Sequence, residues 1–286
     1  MGQQREAGIR MSIAAVVVSF NSGSTLHACL TALRAAEGVA EVRVVDNGSS
    51  DDSVAIAQRH AVADTRVRFV ANADNPGFAA ACNQWAAASA AAWLAFVNPD
   101  VTVQPNTLAI LVRRGEVLGP CVLGVVQVDP EGRPDPAVRR QDPEFARMLR
   151  HPWRPHDLSV AADPHQLVQP VPALSGALMV LPRSLFERLG GWDPGYRLHA
   201  EDLDLCRRAR QAGATVAIAN DLKVTHVRGV SSRSRPFFVE WHKHRGLWRY
   251  FRRFESARLP VWKRGLVWLA IWGHAASRLP ALLAGR

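Results

Sequence analysis

Residues 13–18, IAAVVV, form an unbroken apolar run, closed by Ser19-Phe20 and then by the turn and cap residues NSGST. A strand with no polar alternation has no face to offer water, so it belongs inside a sheet covered on both sides. The next segments repeat the theme. LHACLTALRAA carries helical spacing at Leu26, Cys29, Leu30 and Leu33. EVRVVDN (41–47) is a second strand, and GSSDDSVAIAQRHA opens a second helix with Ser and Asp at its start. VRFVAN (67–72), FAAACNQWAAASAA (78–91) and AWLAFVNPD (92–100) continue as strand, helix and strand. This alternation predicts an α/β fold with one doubly wound, mostly parallel sheet and flanking helices. Ligands of such sheets bind at the carboxyl ends of the strands. Polar residues punctuate those ends here: Asn21, Asp46-Asn47, Asn72 and Asn98-Pro99-Asp100.

The remaining chain divides by composition. Residues 1–11 are polar, lack the apolar core of a secretory signal, and are expected to be a loose tail. Residues 12–128 hold the alternating pattern. Residues 129–172 carry nine prolines with little periodicity, which predicts a long irregular excursion over a site. ALSGALMVLPRSLFERLGGWD (173–193) predicts a strand or strand pair and a short helix, and EDLDLCRRARQAG (201–213) an amphipathic helix stopped at Gly213. ATVAIAND and KVTHVRG give two short strand-like pieces, which complete a second half over 129–235. The four cysteines, Cys29, Cys82, Cys121 and Cys206, lack CxxC spacing. They point to neither a zinc knuckle nor a disulfide framework, and so to a reducing, cytoplasmic setting.

Charge is concentrated at the end of the chain. From Lys223 onward there are 14 Lys and Arg against Glu240 and Glu255, so this end carries +12 of a net +10 and the body is slightly acidic. Five of the nine tryptophans lie there too. A basic, Trp-rich end suits an anionic surface. Nucleic acid is disfavoured, because the charge is confined to the tail and no RNA- or DNA-binding motif accompanies it.

Three acidic sites stand out. Asp46, at a strand end before Asn47-Gly48, is either ordinary turn chemistry or, with Asn47, a reader of a pyrimidine N3–H. Asp100, in FVNPDV, caps the next turn or holds Mg²⁺ or Mn²⁺ against a diphosphate, as hard ions prefer one or two carboxylates plus phosphate oxygens. Glu201, Asp202 and Asp204 cluster at a helix start. Arg207 and Arg208, three and four residues on, account for Asp204 as a salt-bridge partner. Glu201 and Asp202 follow the Gly- and aromatic-rich loop GGWDPGYRLHA and fit a proton-accepting role. His226 is either structural or a second metal ligand. Neither GxGxxG nor GxxxxGK[ST] is present, so dinucleotide and P-loop chemistry are disfavoured. A glycoside hydrolase also pairs carboxylates, but it has no need of a nucleotide pocket or of NPD.

Taken in order, VVVSFNS (16–22), VVDNGSSDDS (44–53), NPGFAAACN (75–83), NPD (98–100), SGALM (175–179), GGWDPGYRLHAEDLDLCRR (190–208) and THVRG (225–229) resemble the family 2 glycosyltransferases, particularly the bacterial rhamnosyltransferase-like branch. The resemblance covers roughly residues 13–230. It implies a GT-A fold, a dTDP- or UDP-sugar donor, a divalent cation (Mg²⁺ or Mn²⁺) and inversion at the anomeric carbon. Carried over residue by residue, it implies a donor site of Ser19, Phe20, Asn21, Asp46, Asn47, Asn75, Gly77, Phe78, Asn83, Asn98 and Asp100. Asn98 stands where the DxD metal motif has its first Asp. Asp100 and His226 are the implied metal ligands, Asp202 the catalytic base, and Glu201, Trp192 and His199 the acceptor contacts. A catalytically silent nucleotide-sugar binder is the rival reading, and retention of Asp100 and Glu201-Asp202 argues against it.

Residues 236–286 are expected to be helical. Their longest stretch without Lys, Arg, Asp or Glu is 13 residues, GLVWLAIWGHAAS, against the roughly 20 a span requires. Leu259, Trp262, Leu266, Leu269, Trp272, Ala276, Leu279 and Leu283 share helical spacing, with Arg258, Lys263, Arg264 and Arg278 nearby. That pattern suits a basic appendage lying on the inner face of the cell membrane, near a lipid-linked glycan acceptor. A hairpin packed on the catalytic domain, or at a homodimer contact, is the alternative.

Overall fold

The computed structural model describes residues 11–150, 157–228 and 236–284; of the expected N-terminal tail, only Met11 falls in this range. The first half runs β1 (Ile13–Ser19), α1 (Gly23–Ala35), β2 (Val39–Asp46), α2 (Ser53–Ala63), β3 (Val67–Ala71), α3 (Phe78–Ala86), β4 (Trp93–Val97), β5 (Val101–Thr102), α4 (Thr107–Leu118) and β6 (Cys121–Val128). The excursion contains a 3₁₀ turn (Pro136–Val138), β7 (Arg139–Arg140) and α5 (Phe145–Arg150). Then come β8 (Val168–Pro170), β9 (Ala173–Leu174), β10 (Leu178–Pro182), α6 (Arg183–Arg188), α7 (Glu201–Gln211) and β11 (Thr215–His226). The chain closes with α8 (Pro236–Phe254), a second 3₁₀ turn (Ser256–Arg258) and α9 (Val261–Ala284).

The main sheet has the order β3-β2-β1-β4-β10-β6-β11-β5, with β8 also on β11. Pairs β3-β2, β2-β1, β1-β4 and β6-β11 are parallel. β10 runs antiparallel to both β4 and β6. Reversing one strand between two others leaves those two parallel to each other. The carboxyl ends of β1 to β4, β6 and β11 therefore share one edge, and β10 starts from that same edge.

Alternation along the central strands fills two cores. Ala14, Val16, Val18, Leu94 and Phe96 face one side, and Ile13, Ala15, Val17, Trp93, Ala95 and Val97 the other. The second side is covered by α1 through Leu26, Cys29, Leu30 and Leu33, the positions the helical spacing predicts, together with α2 and α4. α3, α6 and α7 cover the first side. All four cysteines are buried and free.

Two expectations change. ATVAIAND and KVTHVRG are one strand, β11, with a break in register between Ala219 and Lys223. At the break the Asn220 side chain turns out to take the Arg139 guanidinium and to donate to the Gln169 side chain. The C-terminal helices are also not a loose appendage. Tyr250 and Phe251 of α8 and Val267 and Ile271 of α9 are fully buried in the same core as Trp192 and Phe96. Ion pairs reinforce the contact: Arg207 of α7 with Glu255 at 2.5 Å, and Arg249 with Asp193 at 2.9 Å. The packed-hairpin alternative describes them. No helix among the described residues is long and apolar enough to cross a membrane.

This packing has a measurable consequence. Phe251 stacks on Trp248 and meets Phe145 of α5 at 5.0 Å between ring centres. Phe251→Ala is expected to destabilise the whole protein by about 3–5 kcal/mol, lowering the midpoint of a single denaturant transition. An unchanged main transition would mean that the hairpin folds apart from the sheet.

Candidate active site

The shared sheet edge collects the predicted residues in three groups. The first is a pair of cross-tied loops after β1 and β2. The Asn21 amide oxygen accepts the Ser50 N–H at 2.8 Å, and the Asn21 N–H donates to Ser49 Oγ at 2.9 Å. Ser22 N–H reaches Ser53 Oγ and Gly23 N–H reaches Asp51. Ser19 lies at the end of β1, buried, with a hydroxyl that has no hydrogen-bond partner, and Phe20 is half-buried beside it. Asn47 donates to Asn75 and to the Gly77 carbonyl, each at 3.4 Å, and accepts from Asn72 at 3.0 Å. Gly77 has φ +96°, and a Cβ there would sit 3.0 Å from the Arg197 carbonyl, so both conformation and space require glycine.

Three residues of this group serve the scaffold. The Asp46 carboxylate accepts the N–H groups of Gly48 and Ser49 and the Ser49 hydroxyl, so it shapes the turn as the first of its two readings has it. Asn83 exchanges two hydrogen bonds with the Trp192 backbone, at 2.8 and 2.9 Å, and so pins the second-half loop. Trp192 is 0% exposed, edge-on to Phe78 and Phe96. It forms the core beneath the site and does not touch an acceptor, contrary to the sequence reading. Phe78 supports it from α3.

The second group follows β4 and β11. Asp100 and His226 meet with Oδ1 and Nε2 3.3 Å apart. His226 Nδ1 lies 2.9 Å from the Gln127 amide oxygen, which can only accept, so Nδ1 donates there. Asp100 Oδ1 is buried and has no hydrogen-bond partner. In the neutral imidazole this leaves the Nε2 lone pair turned towards Asp100 Oδ1. That arrangement fits a divalent cation, whose bonds to imidazole nitrogen and carboxylate oxygen run about 2.0–2.2 Å, and Gln127 orients the imidazole from behind. Asn98 stands half-buried two residues earlier, its N–H held by the Ala177 carbonyl at 2.8 Å.

The third group opens α7. His199 and Ala200 both adopt left-handed backbone, φ +66° and +68°, a conformation costing about 1–3 kcal/mol per non-glycine residue and typical of functional sites. Gly246 of α8 braces this bend: a Cβ there would lie 2.7 Å from the His199 carbonyl. The bend delivers Glu201 and Asp202 to the edge. Asp202 Oδ2 accepts the Gly176 N–H at 3.1 Å, just before β10, and pairs with Arg140 of β7. Sequence reasoning passed over Arg140, whose only signal is a charge inside the proline-rich excursion. Burial works against the Arg140 charge, but Asp202 more than offsets it and raises the guanidinium pKa. Asp204 is buried on Arg208 at 2.5 Å, the structural role expected of it, while Arg207 pairs with Glu255.

A connected path joins the second and third groups. From Asp100 it runs to His226, to Gln127, to the Ser175 hydroxyl at 3.5 Å, and through Gly176 to Asp202. Beside Asp202 a cavity of about 670 Å³ opens between α5, α8 and α9. Its wall mixes apolar Phe145, Met148 and Leu247 with charged residues of both signs, among them Lys243, Arg147, Asp142 and Glu144, and His199 also lines it.

Glu201 differs from its neighbour. Burial, and then the Asp202 charge, push its carboxyl up to about 8, and Oε2 is enclosed without a partner. A raised acid holds its proton in the native state while the unfolded chain releases it. Stability from this group is therefore full below about pH 4.5, falls as pH rises to about 8, and is flat beyond. Glu201→Gln is expected to gain stability over the parent across that window, on the order of a few kcal/mol by pH 8. Denaturant titrations at about pH 5 and pH 8 check it; an equal difference at both ends would mean that Glu201 is ionised in the fold.

Comparison with known proteins agrees with this geometry. The chain matches Glycosyl transferase family 2 over residues 14–190 and Glycosyl transferase family group 2 over 158–284. It is 28% identical to N-acetylglucosaminyl-diphospho-decaprenol L-rhamnosyltransferase of Mycobacterium tuberculosis, over 82% of this chain and 85% of that protein. The succinoglycan biosynthesis protein ExoO of Rhizobium meliloti is 34% identical over 40% of this chain and 34% of its own. Among solved structures, GalNAc-T7 with UDP, GalNAc and Mn²⁺ superposes with a TM-score of 0.66 at 18% identity, over 84% of this chain but about half (48%) of that one. The mannosyltransferase PcManGT of Pyrobaculum calidifontis with GDP-Man and Mn²⁺ gives 0.60 at 17% identity, over 96% and 78%. At these identities the solved structures speak to the fold alone. The match over residues 14–190 shows that the chain belongs to glycosyl transferase family 2, as a glycosyltransferase of GT-A fold.

Proposed function

We propose that the protein is an inverting, divalent-cation-dependent glycosyltransferase that moves L-rhamnose from dTDP-rhamnose to a hydroxyl of a polyprenyl-diphosphate-linked glycan. The observation that supports the reading is the path from Asp100 and His226 to Asp202, which ties these three side chains to one sheet edge, where a cation-binding pair and a proton acceptor are needed together. Asp100 and His226 would hold the ion; when bound, it supplies positive charge beside the donor diphosphate. Ser19, Asn21, Asn47, Asn75 and Gly77 would shape the nucleoside end of the cleft, on loops already tied together.

Inversion takes one displacement. The acceptor oxygen forms its bond to C1 as the bond from C1 to the nucleoside diphosphate breaks, and the hydroxyl proton passes to Asp202. Arg140 and the Gly176 N–H hold that carboxylate in place, and Glu201, protonated at neutral pH, adds no second charge to the acceptor side. The donor assignment is supported by the mycobacterial relative, named as an L-rhamnosyltransferase acting on a decaprenol-diphosphate sugar. The acceptor class is supported by the cavity at Asp202, whose apolar residues suit a prenyl chain.

A peripheral position on the inner membrane face is supported by α9. Trp262, Leu266, Leu269 and Leu283 are 43–64% exposed along one side of it, a pattern of interfacial helices.

One experiment tests these points together. The protein is floated with anionic vesicles carrying a polyprenyl-diphosphate-linked sugar, then supplied with dTDP-rhamnose, a UDP-hexose or a GDP-hexose and Mn²⁺ or Mg²⁺. The expected result is flotation and transfer from dTDP-rhamnose, with Asp202→Asn slower by about 10²–10⁴-fold. Transfer from a UDP-hexose in its place would overturn the donor, full activity of Asp202→Asn the base, and protein left unfloated the membrane contact.

A further inference from the structure

We propose a second metal site, of the zinc class, that clasps α8 to α9 at the wall of the cavity. Its ligands are Glu240 and His244, one turn apart on α8, and His274 on α9; one ligand atom from each lies within 4.8 Å of the others'. The site is separate from the Asp100–His226 pair, and no role in sugar transfer described above uses it.

The argument rests on proton placement. His244 is 0% exposed. Its Nδ1 lies 2.8 Å from the Glu240 main-chain carbonyl, which can only accept, so Nδ1 carries the proton and Nε2 offers its lone pair. A backbone carbonyl fixing a ligating imidazole in this way is the usual outer support of a metal-bound histidine. His244 Nε2 faces His274 Nδ1 at 3.0 Å. Two nitrogens bound tetrahedrally at about 2.0–2.1 Å stand about 3.3–3.4 Å apart, so closing on an ion takes a shift of a few tenths of an ångström. The third donor is Glu240, whose Oε1 is buried, makes no hydrogen bond and lies 3.5 Å from the His244 Nδ1, a setting that suits a cation beside the carboxylate.

The surroundings agree. Two imidazoles and one carboxylate are a donor set that suits zinc better than magnesium or calcium. Because Glu240, His244 and His274 all line the cavity, the fourth position opens into it.

The test uses the full-length protein stripped with a chelator and titrated with ZnCl₂ against a chromophoric zinc indicator, and with CoCl₂ for the visible bands of four-coordinate cobalt. The expected result is a tight site retained in Asp100→Ala but weakened by about tenfold or more in both His274→Ala and Glu240→Gln. His274 is exposed, so its loss leaves the fold intact, and circular dichroism checks this. A four-coordinate cobalt spectrum present in the parent and absent from His274→Ala supports the assignment. Zinc affinity unchanged in both variants, or a tight site lost in Asp100→Ala alone, overturns it. This outcome is separate from the sugar-transfer assay, which can succeed or fail without it.

Discussion

One carboxylate oxygen, Oδ2 of Asp202, joins the parts of this molecule that do chemistry. It takes an N–H from Gly176, at the threshold of β10, and the guanidinium of Arg140, from the excursion. β10 runs against its neighbours, so its approach arrives at the sheet edge where β4 and β11 deliver Asp100 and His226. Had β10 been parallel, Gly176 would sit at the far edge and Asp202 would have no tie to Asp100 and His226. The strained bend at His199 and Ala200, braced by Gly246, holds the other side of the same contact.

Charge is distributed to suit. Glu201 and Asp202 are adjacent acids, and two carboxylates kept close together cannot both stay ionised cheaply. Burial resolves the conflict by leaving the proton on Glu201, while Asp202 has Arg140 as its partner. At the other end, the Gln127 amide oxygen accepts a hydrogen bond from His226 Nδ1 and so turns Nε2 towards the Asp100 oxygen. Each arrangement depends on a neighbour far away in sequence.

That dependence marks what the sequence could reveal. The apolar runs and helical spacing carried the layers, down to the four buried positions of α1. NPD and the Glu-Asp pair stood out because carboxylates beside apolar runs are conspicuous. β6, CVLGVVQV, has the same unbroken character as β1 and supplies Gln127. Arg140 was hidden because its meaning comes from Asp202, 62 residues on. Trp192 misled for the converse reason: an aromatic in a Gly-rich loop resembles a sugar platform, yet Asn83 pins the loop so that the ring turns inward. The basic tail misled in part. Its charge and tryptophans describe its outer face, while Tyr250, Phe251, Val267 and Ile271 belong to the common core.

The account proposes that Asp100 and His226 meet a divalent cation at the sheet edge to which Asp202 is tied. The most direct measurement is anomalous scattering from crystals grown with Mn²⁺ and a nucleoside diphosphate. The account predicts a manganese peak between Asp100 Oδ1 and His226 Nε2, in contact with the diphosphate. A diphosphate bound at the sheet edge with its metal away from both residues would contradict it.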